Sequence, residues 1–101
     1  MERLECLKKA EGIVSGDRYG SPEDNFMRIA SLWSSYLRAR FGYPIILKPK
    51  DVAALMALLK VGRIAGNTAN EDSWVDIAGY AACGAELDSA ELVEVSNDSV
   101  H

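Results

Sequence analysis

Residues 21–42 read SPEDNFMRIASLWSSYLRARFG, and this stretch decides the fold class. Ser21 is a residue type that caps helices, Pro22 fits the first helical position, and Glu23 and Asp24 follow in the first turn. Ser21 and Asp24 have capping-box spacing, with Asp in place of the usual Glu. The two acids also complement the positive end of the helix dipole. Phe26, Ile29, Ala30, Trp33, Tyr36 and Leu37 then recur at intervals of three and four, which draws one apolar face along a helix. The pattern predicts a helix from Pro22 to about Arg40, ended by Gly42.

The same period continues on both sides. Residues 2–15 predict a helix on Leu4, Leu7 and Val14, with Ala10 and Ile13 filling the stripe and Gly16 as its stop. Asp17-Arg18-Tyr19-Gly20 is a short connection. Tyr43 to Lys48 is a loop or a short extended piece, in which Ile45-Ile46-Leu47 is a candidate strand without an obvious pairing partner. Pro49 opens a third helix reaching to about Ala65 and stopped by Gly66-Asn67. Val52, Leu55, Met56 and Leu59 line one face of it, and Ala54, Ala57, Leu58 and Val61 make the other faces apolar too. Such a helix is central, or an oligomer partner covers it.

Asn70 caps a fourth helix from Glu71 to about Ser89, with Trp74, Ile77, Ala78, Ala81 and Ala85 as its expected core stripe. Gly79 and Gly84, each costing about 1 kcal/mol in a helix interior, suit close approach by a neighbouring helix. Residues 90–101 are acidic and polar with no sustained period. The expected architecture is all-α: one four-helix domain over 1–89, a flexible acidic tail over 90–101, and a bundle completed by homo-oligomerisation.

Composition narrows the function. The chain has 101 residues, 49% of them apolar and 26% charged, which excludes disordered and collagen-like chains. Two cysteines, Cys6 and Cys83, are too few for a disulfide scaffold. The longest run without polar residues, Ile77 to Ala85, is far short of a membrane span, and no apolar signal-peptide core follows the charged start. The expectation is a soluble cytoplasmic protein with reduced thiols and no membrane partner. His101 is the sole histidine, which sets aside Ser-His and Cys-His nucleophile pairs and His-rich zinc sites. Residues 1–50 hold nine Lys/Arg and six Asp/Glu; residues 51–101 hold two and nine. Arg38, Arg40, Lys48 and Lys50 cluster between the second and third helices and read first as a solvated surface, with contact to a phosphate as the alternative; a net charge of -4 disfavours nucleic acid as a partner.

Lys60 and Arg63 are the exceptions on the apolar third helix. They are three apart, share a face and need partners, because an unpaired buried charge is costly. Asp72 and Asp76, four apart on the next helix, share a face that Tyr80 continues, with Glu71 nearby. One reading is an interhelical salt-bridge network without a ligand. The other is a site in which Glu71, Asp72 and Asp76 hold Mg²⁺ while Lys60 and Arg63 hold phosphate. Trp33 and Trp74 read first as core, with base stacking as the alternative; Tyr80 reads as a hydroxyl directed into a polar site.

The segments Asp17 to Phe26, Ile29-Ala30, Leu32-Trp33, Asp51-Val52-Ala53, Leu59-Lys60, Arg63-Ile64 and Asp72 to Ala81 together resemble a small phage and prophage domain family of unassigned function, over roughly residues 4–88. That family is in turn similar to the MazG-like, all-α nucleoside triphosphate pyrophosphatases. The resemblance implies a nucleotide ligand, Mg²⁺ and assembly into dimers or tetramers, with Asn25, Trp33, Lys60, Arg63 and Tyr80 as candidate ligand-binding residues. The enzymes carry E-x-x-E on one helix and E-x-x-D on the next. Here the first slot is Lys60-x-x-Arg63 and the second Ser73-x-x-Asp76, so only Asp76 matches an acid outright. Three functions follow as expectations: a pyrophosphohydrolase with an altered metal site, a nucleotide binder that does not hydrolyse, and a protein inhibitor of a host defence system.

Overall fold

In the computed structural model, which describes residues 1–15, 22–66 and 70–100, the chain forms four α-helices: α1 (Arg3–Val14), α2 (Pro22–Phe41), α3 (Pro49–Ala65) and α4 (Glu71–Val100). The all-α expectation holds, and no strand occurs among the described residues. Ser21, Gly16, residues 17–20 and Asn67 lie outside the described residues, so the Ser21 cap and those connections stay sequence readings. α4 continues to Val100 instead of ending near Ser89. Residues 90–100 carry no glycine or proline to stop it, which the acidic composition obscured.

The helices pack in the order α1–α4–α3–α2, each against the next. The main core cluster comprises Phe26 and Ala30 from α2, Val52 and Ala53 from α3, and Cys83 and Leu87 from α4. Val52 is fully buried. Trp33, Leu47, Met56 and Tyr80 pack around this cluster. Gly42 leaves α2 with φ +75°, a left-handed conformation that glycine adopts without strain.

The candidate strand is instead an irregular connection held by side chains. Ser34, buried on α2, donates from Oγ to the Ala30 carbonyl at 2.6 Å and accepts from the Leu47 N–H at 2.8 Å. Arg38 Nη1 donates to the Ile45 carbonyl at 2.9 Å. Backbone polar groups satisfied this way need no sheet partner. At the start of α3, the Lys48 N–H donates to Asp51 Oδ2 at 2.8 Å, so the acid caps from inside the first turn.

Two faces differ from the sequence reading. On α1, Leu4 (67% exposed), Leu7 and Ile13 face outward, while Ala10 is buried and Cys6 and Val14 are half-buried. α1 meets α4 across a narrow seam, where a Cβ added at Gly79 would lie 3.6 Å from Val14 Cγ1, and small residues occupy it. On α4 the buried line is Val75, Gly79, Cys83 and Leu87, at strict four-residue spacing. Trp74, Ala81 and Ala85, expected in the core, are exposed, as is Tyr36 at the edge of the α2 stripe. A tryptophan weighs heavily in a hydrophobic pattern. Here the glycine and cysteine line permits the closer helix contact, and that contact sets the rotation of α4.

Candidate functional site

α3 and α4 face each other along their length, and the polar centre of the molecule lies on this seam. Lys60 Nζ stands 3.0 Å from Asp76 Oδ2, joining the two helices. Both side chains are shielded, at 17% and 30% exposure, so the pair sits in a medium where Coulombic attraction is stronger than in bulk water. Tyr80 is one turn beyond Asp76 on α4, half-buried, with its ring 6.4 Å from that of Phe26. Burial pushes the Tyr80 hydroxyl above its ordinary pKa; Lys60 works against that rise, and Asp76 adds to it. Lys60, Asp76 and Tyr80 thus form one electrostatic unit, with the phenol kept protonated and able to donate.

Tyr80 also lines an open groove of about 450 Å³ between the two helices. Its floor is made of small residues, Ala53, Ala57, Ala81 and Gly84, and a Cβ added at Gly84 would lie 3.5 Å from Ala53 Cβ. Lys50 and Asp88, which also line it, form a second α3–α4 ion pair at 3.2 Å, largely open to solvent. The sequence reading missed this groove. The small residues on α4 were visible, but their alignment with Ala53 and Ala57 depends on the rotation of α4. The buried Ser34 was also missed, although a lone polar residue inside the α2 stripe was a signal.

The other candidates fall in different places. Arg63 lies one turn past Lys60 near the end of α3 and is exposed. Trp33 packs on the core cluster, so its ring serves the core. Asn25 is half-buried beside Phe26 on α2. Glu71 is exposed, with Oε1 3.2 Å from the amino group of Met1, and Asp72 is exposed as well. The three acids proposed for Mg²⁺ therefore do not converge: among the described residues no group of three acids, cysteines or histidines is placed to hold a metal ion. The donor set does not fit the magnesium site that the resemblance implies.

Cys83 is buried, and burial raises its thiol pKa, with Glu86 adding to the rise. This is the chemistry of an inert core thiol rather than of a nucleophile. Among the described residues no helix is long and apolar enough to cross a membrane.

Two curated relatives come from mycobacteriophages. The Gene 55 protein of Mycobacterium phage L5 is 42% identical over 81 residues, covering 77% of this chain and 49% of the relative. The Gene 55 protein of Mycobacterium phage D29 is 40% identical over 80 residues, covering 76% and 49%. The chain thus spans about half the length of the curated relatives it matches. No solved structure matches it. With residues 5–88 matched by a family described as a domain of unknown function, the chain belongs to the DUF6378 family.

Proposed function

We propose that this chain is a phage-type helical protein that binds a nucleotide or another phosphate-bearing small molecule on the α3–α4 seam, without hydrolysing it. The observation that carries the reading is the shielded Lys60–Asp76 pair coupled to Tyr80, which stands at the edge of a groove with a floor of small residues. A groove of about 450 Å³ is within the size range of small-molecule sites. Lys60 supplies an ammonium that can exchange the Asp76 carboxylate for a phosphate oxygen, and Lys50 supplies a second cation at the groove. Tyr80 offers a ring face and a protonated hydroxyl. The resemblance to the all-α nucleoside triphosphate pyrophosphatases supports the ligand class. Binding is preferred over hydrolysis because Glu71, Asp72 and Asp76 are dispersed.

The test is calorimetric titration of the full chain with a nucleoside triphosphate. Lys60→Ala is expected to weaken affinity at least about tenfold, the scale of one charge-assisted contact. Unchanged affinity removes Lys60 from the site. A second reading, inhibition of a host defence protein, is favoured by the aromatic and aliphatic side chains exposed around the end of α2: Tyr36 (65%), Phe41, Tyr43 and Ile46 (71%). Substitution of Tyr36 or Tyr43 would then abolish function in the host, while Lys60→Ala would have no effect on it.

A further inference from the structure

The outer face of α3 carries a large apolar surface. Leu58 is 62% exposed, and Leu55, Leu59 and Val61 are between two-fifths and one-half exposed. At 100° per residue Leu55, Leu58 and Val61, with Gly62, fall on the half of the helix opposite Val52, Ala53 and Lys60, while Leu59 lies close to the line of Val52. No charged residue occurs between Asp51 and Lys60, and Lys60 turns inward to Asp76. The usual pattern of a surface helix is therefore inverted: the shielded ammonium points into the fold and the leucines point out. A Cβ added at Gly62 meets nothing within 4 Å, so a second helix can come close there.

The molecule as a whole exposes too much surface for its mass. A folded monomer of 11.0 kDa is expected to expose about 5,600 Å². This chain exposes 7554 Å². The excess belongs to the chain as a whole, and the outer face of α3 contributes part of it. The radius of gyration, 15.5 Å, likewise exceeds the ~13 Å of a compact domain of this length.

From these observations we infer that the outer face of α3 is the seam on which a second copy of this chain packs, α3 against α3 about a two-fold axis. The uncharged face selects that occupant. An isologous interface sets each residue type against the same patch of its partner, and a face without charge meets itself without like-charge repulsion. The exposed leucines of α1 lack this property. Leu4 and Leu7 on α1 are interleaved with Arg3, Glu5, Lys8 and Lys9. Leu58, midway along the face, comes to lie near the axis. This interface is independent of the ligand reading.

The test is sedimentation equilibrium of the full chain at tens of micromolar. Wild type is expected at the mass of two copies. Leu58→Glu and Leu58→Lys each place like charges across the axis and are expected to raise the dissociation constant by about a hundredfold or more. An equimolar mixture of the two variants is expected to restore the two-copy mass. Leu4→Glu, an equally exposed position on α1, is expected to leave assembly unchanged. Leu58→Cys is expected to form an intermolecular disulfide on mild oxidation, which keeps the question decidable if circular dichroism shows that the charged variants do not fold. A one-copy mass for wild type overturns the inference. A two-copy mass retained by folded Leu58→Glu also overturns it. Nucleotide titration does not bear on either outcome, so this inference and the ligand reading fail separately.

Discussion

Lys60 and Asp76 are shielded unequally, and neither is sealed from water. Removing one partner leaves the other partly buried and unpaired, at a cost of about 1–3 kcal/mol, below that of a fully buried pair. Lys60→Met and Asp76→Asn should each lower the urea midpoint, and the double variant should lose less than the sum of the two. Additive losses would show that the pair is not coupled. Ser34→Ala removes the acceptor of the Leu47 N–H and is expected to cost about 1–2 kcal/mol. Thermal unfolding measures that loss directly. The buried thiol and phenol give a pH dependence of definite sign. Cys83 and Tyr80 release their protons at higher pH in the folded chain than the ordinary 9.0 and 10.0. The unfolded chain therefore loses protons first as pH rises, and alkaline conditions favour unfolding. This part of the stability is complete below pH 9 and declines through and above the interval from 9.0 to 10.0. In Cys83→Ala the decline should begin closer to the phenol's 10.0, as read from unfolding midpoints across that range.

Among the elements, α4 is decisive because both α1 and α3 pack on it. A Cβ added at Gly79 would lie 3.6 Å from Val14 Cγ1 of α1, and one added at Gly84 would lie 3.5 Å from Ala53 Cβ of α3. Both distances are ordinary contacts for an added methyl group. Gly79→Ala and Gly84→Ala should therefore be tolerated and should recover up to about 1 kcal/mol of helix propensity each. Leucine at either position should force the helices apart and lower the melting temperature instead. Several helix ends were legible in local chemistry: Pro22 and Pro49 open α2 and α3, and Gly42 closes α2, whereas the end of α4 was read about ten residues too early. Facing was less legible. The inward line of α4 runs through Val75, Gly79, Cys83 and Leu87, which are mostly small, while the conspicuous Trp74 points outward. Hydrophobicity alone does not disclose that a glycine is buried. The Lys60–Asp76 pair was readable as one of several pairings between two helices, because charges stranded on an apolar helix must find partners. The groove beside Tyr80 was not readable, since it depends on how the two helices are rotated.

At the scale of the whole molecule, two surfaces respond differently to salt. The outer face of α3 is apolar, so assembly through it should persist at 0.5 M NaCl, where the Debye length is only about 4 Å. A phosphate ligand held by Lys60 and Lys50 should be weakened under the same conditions, because counterions compete at the solvent-open Lys50. The net charge of -4 sharpens this point: a negatively charged ligand approaches an acidic protein only where local cations outweigh the global field. The central claim is that the seam holds such a ligand intact. It is tested most directly by incubating the full chain with a panel of nucleoside triphosphates and cyclic nucleotides, with and without Mg²⁺. The protein is then filtered and denatured, and the retained and free fractions are separated by chromatography. The expected result is a nucleotide recovered unchanged from the retained fraction, in amounts independent of Mg²⁺ and reduced in Lys60→Ala. A monophosphate product that appears only with Mg²⁺ would contradict binding without hydrolysis, and an empty retained fraction would contradict the ligand site itself.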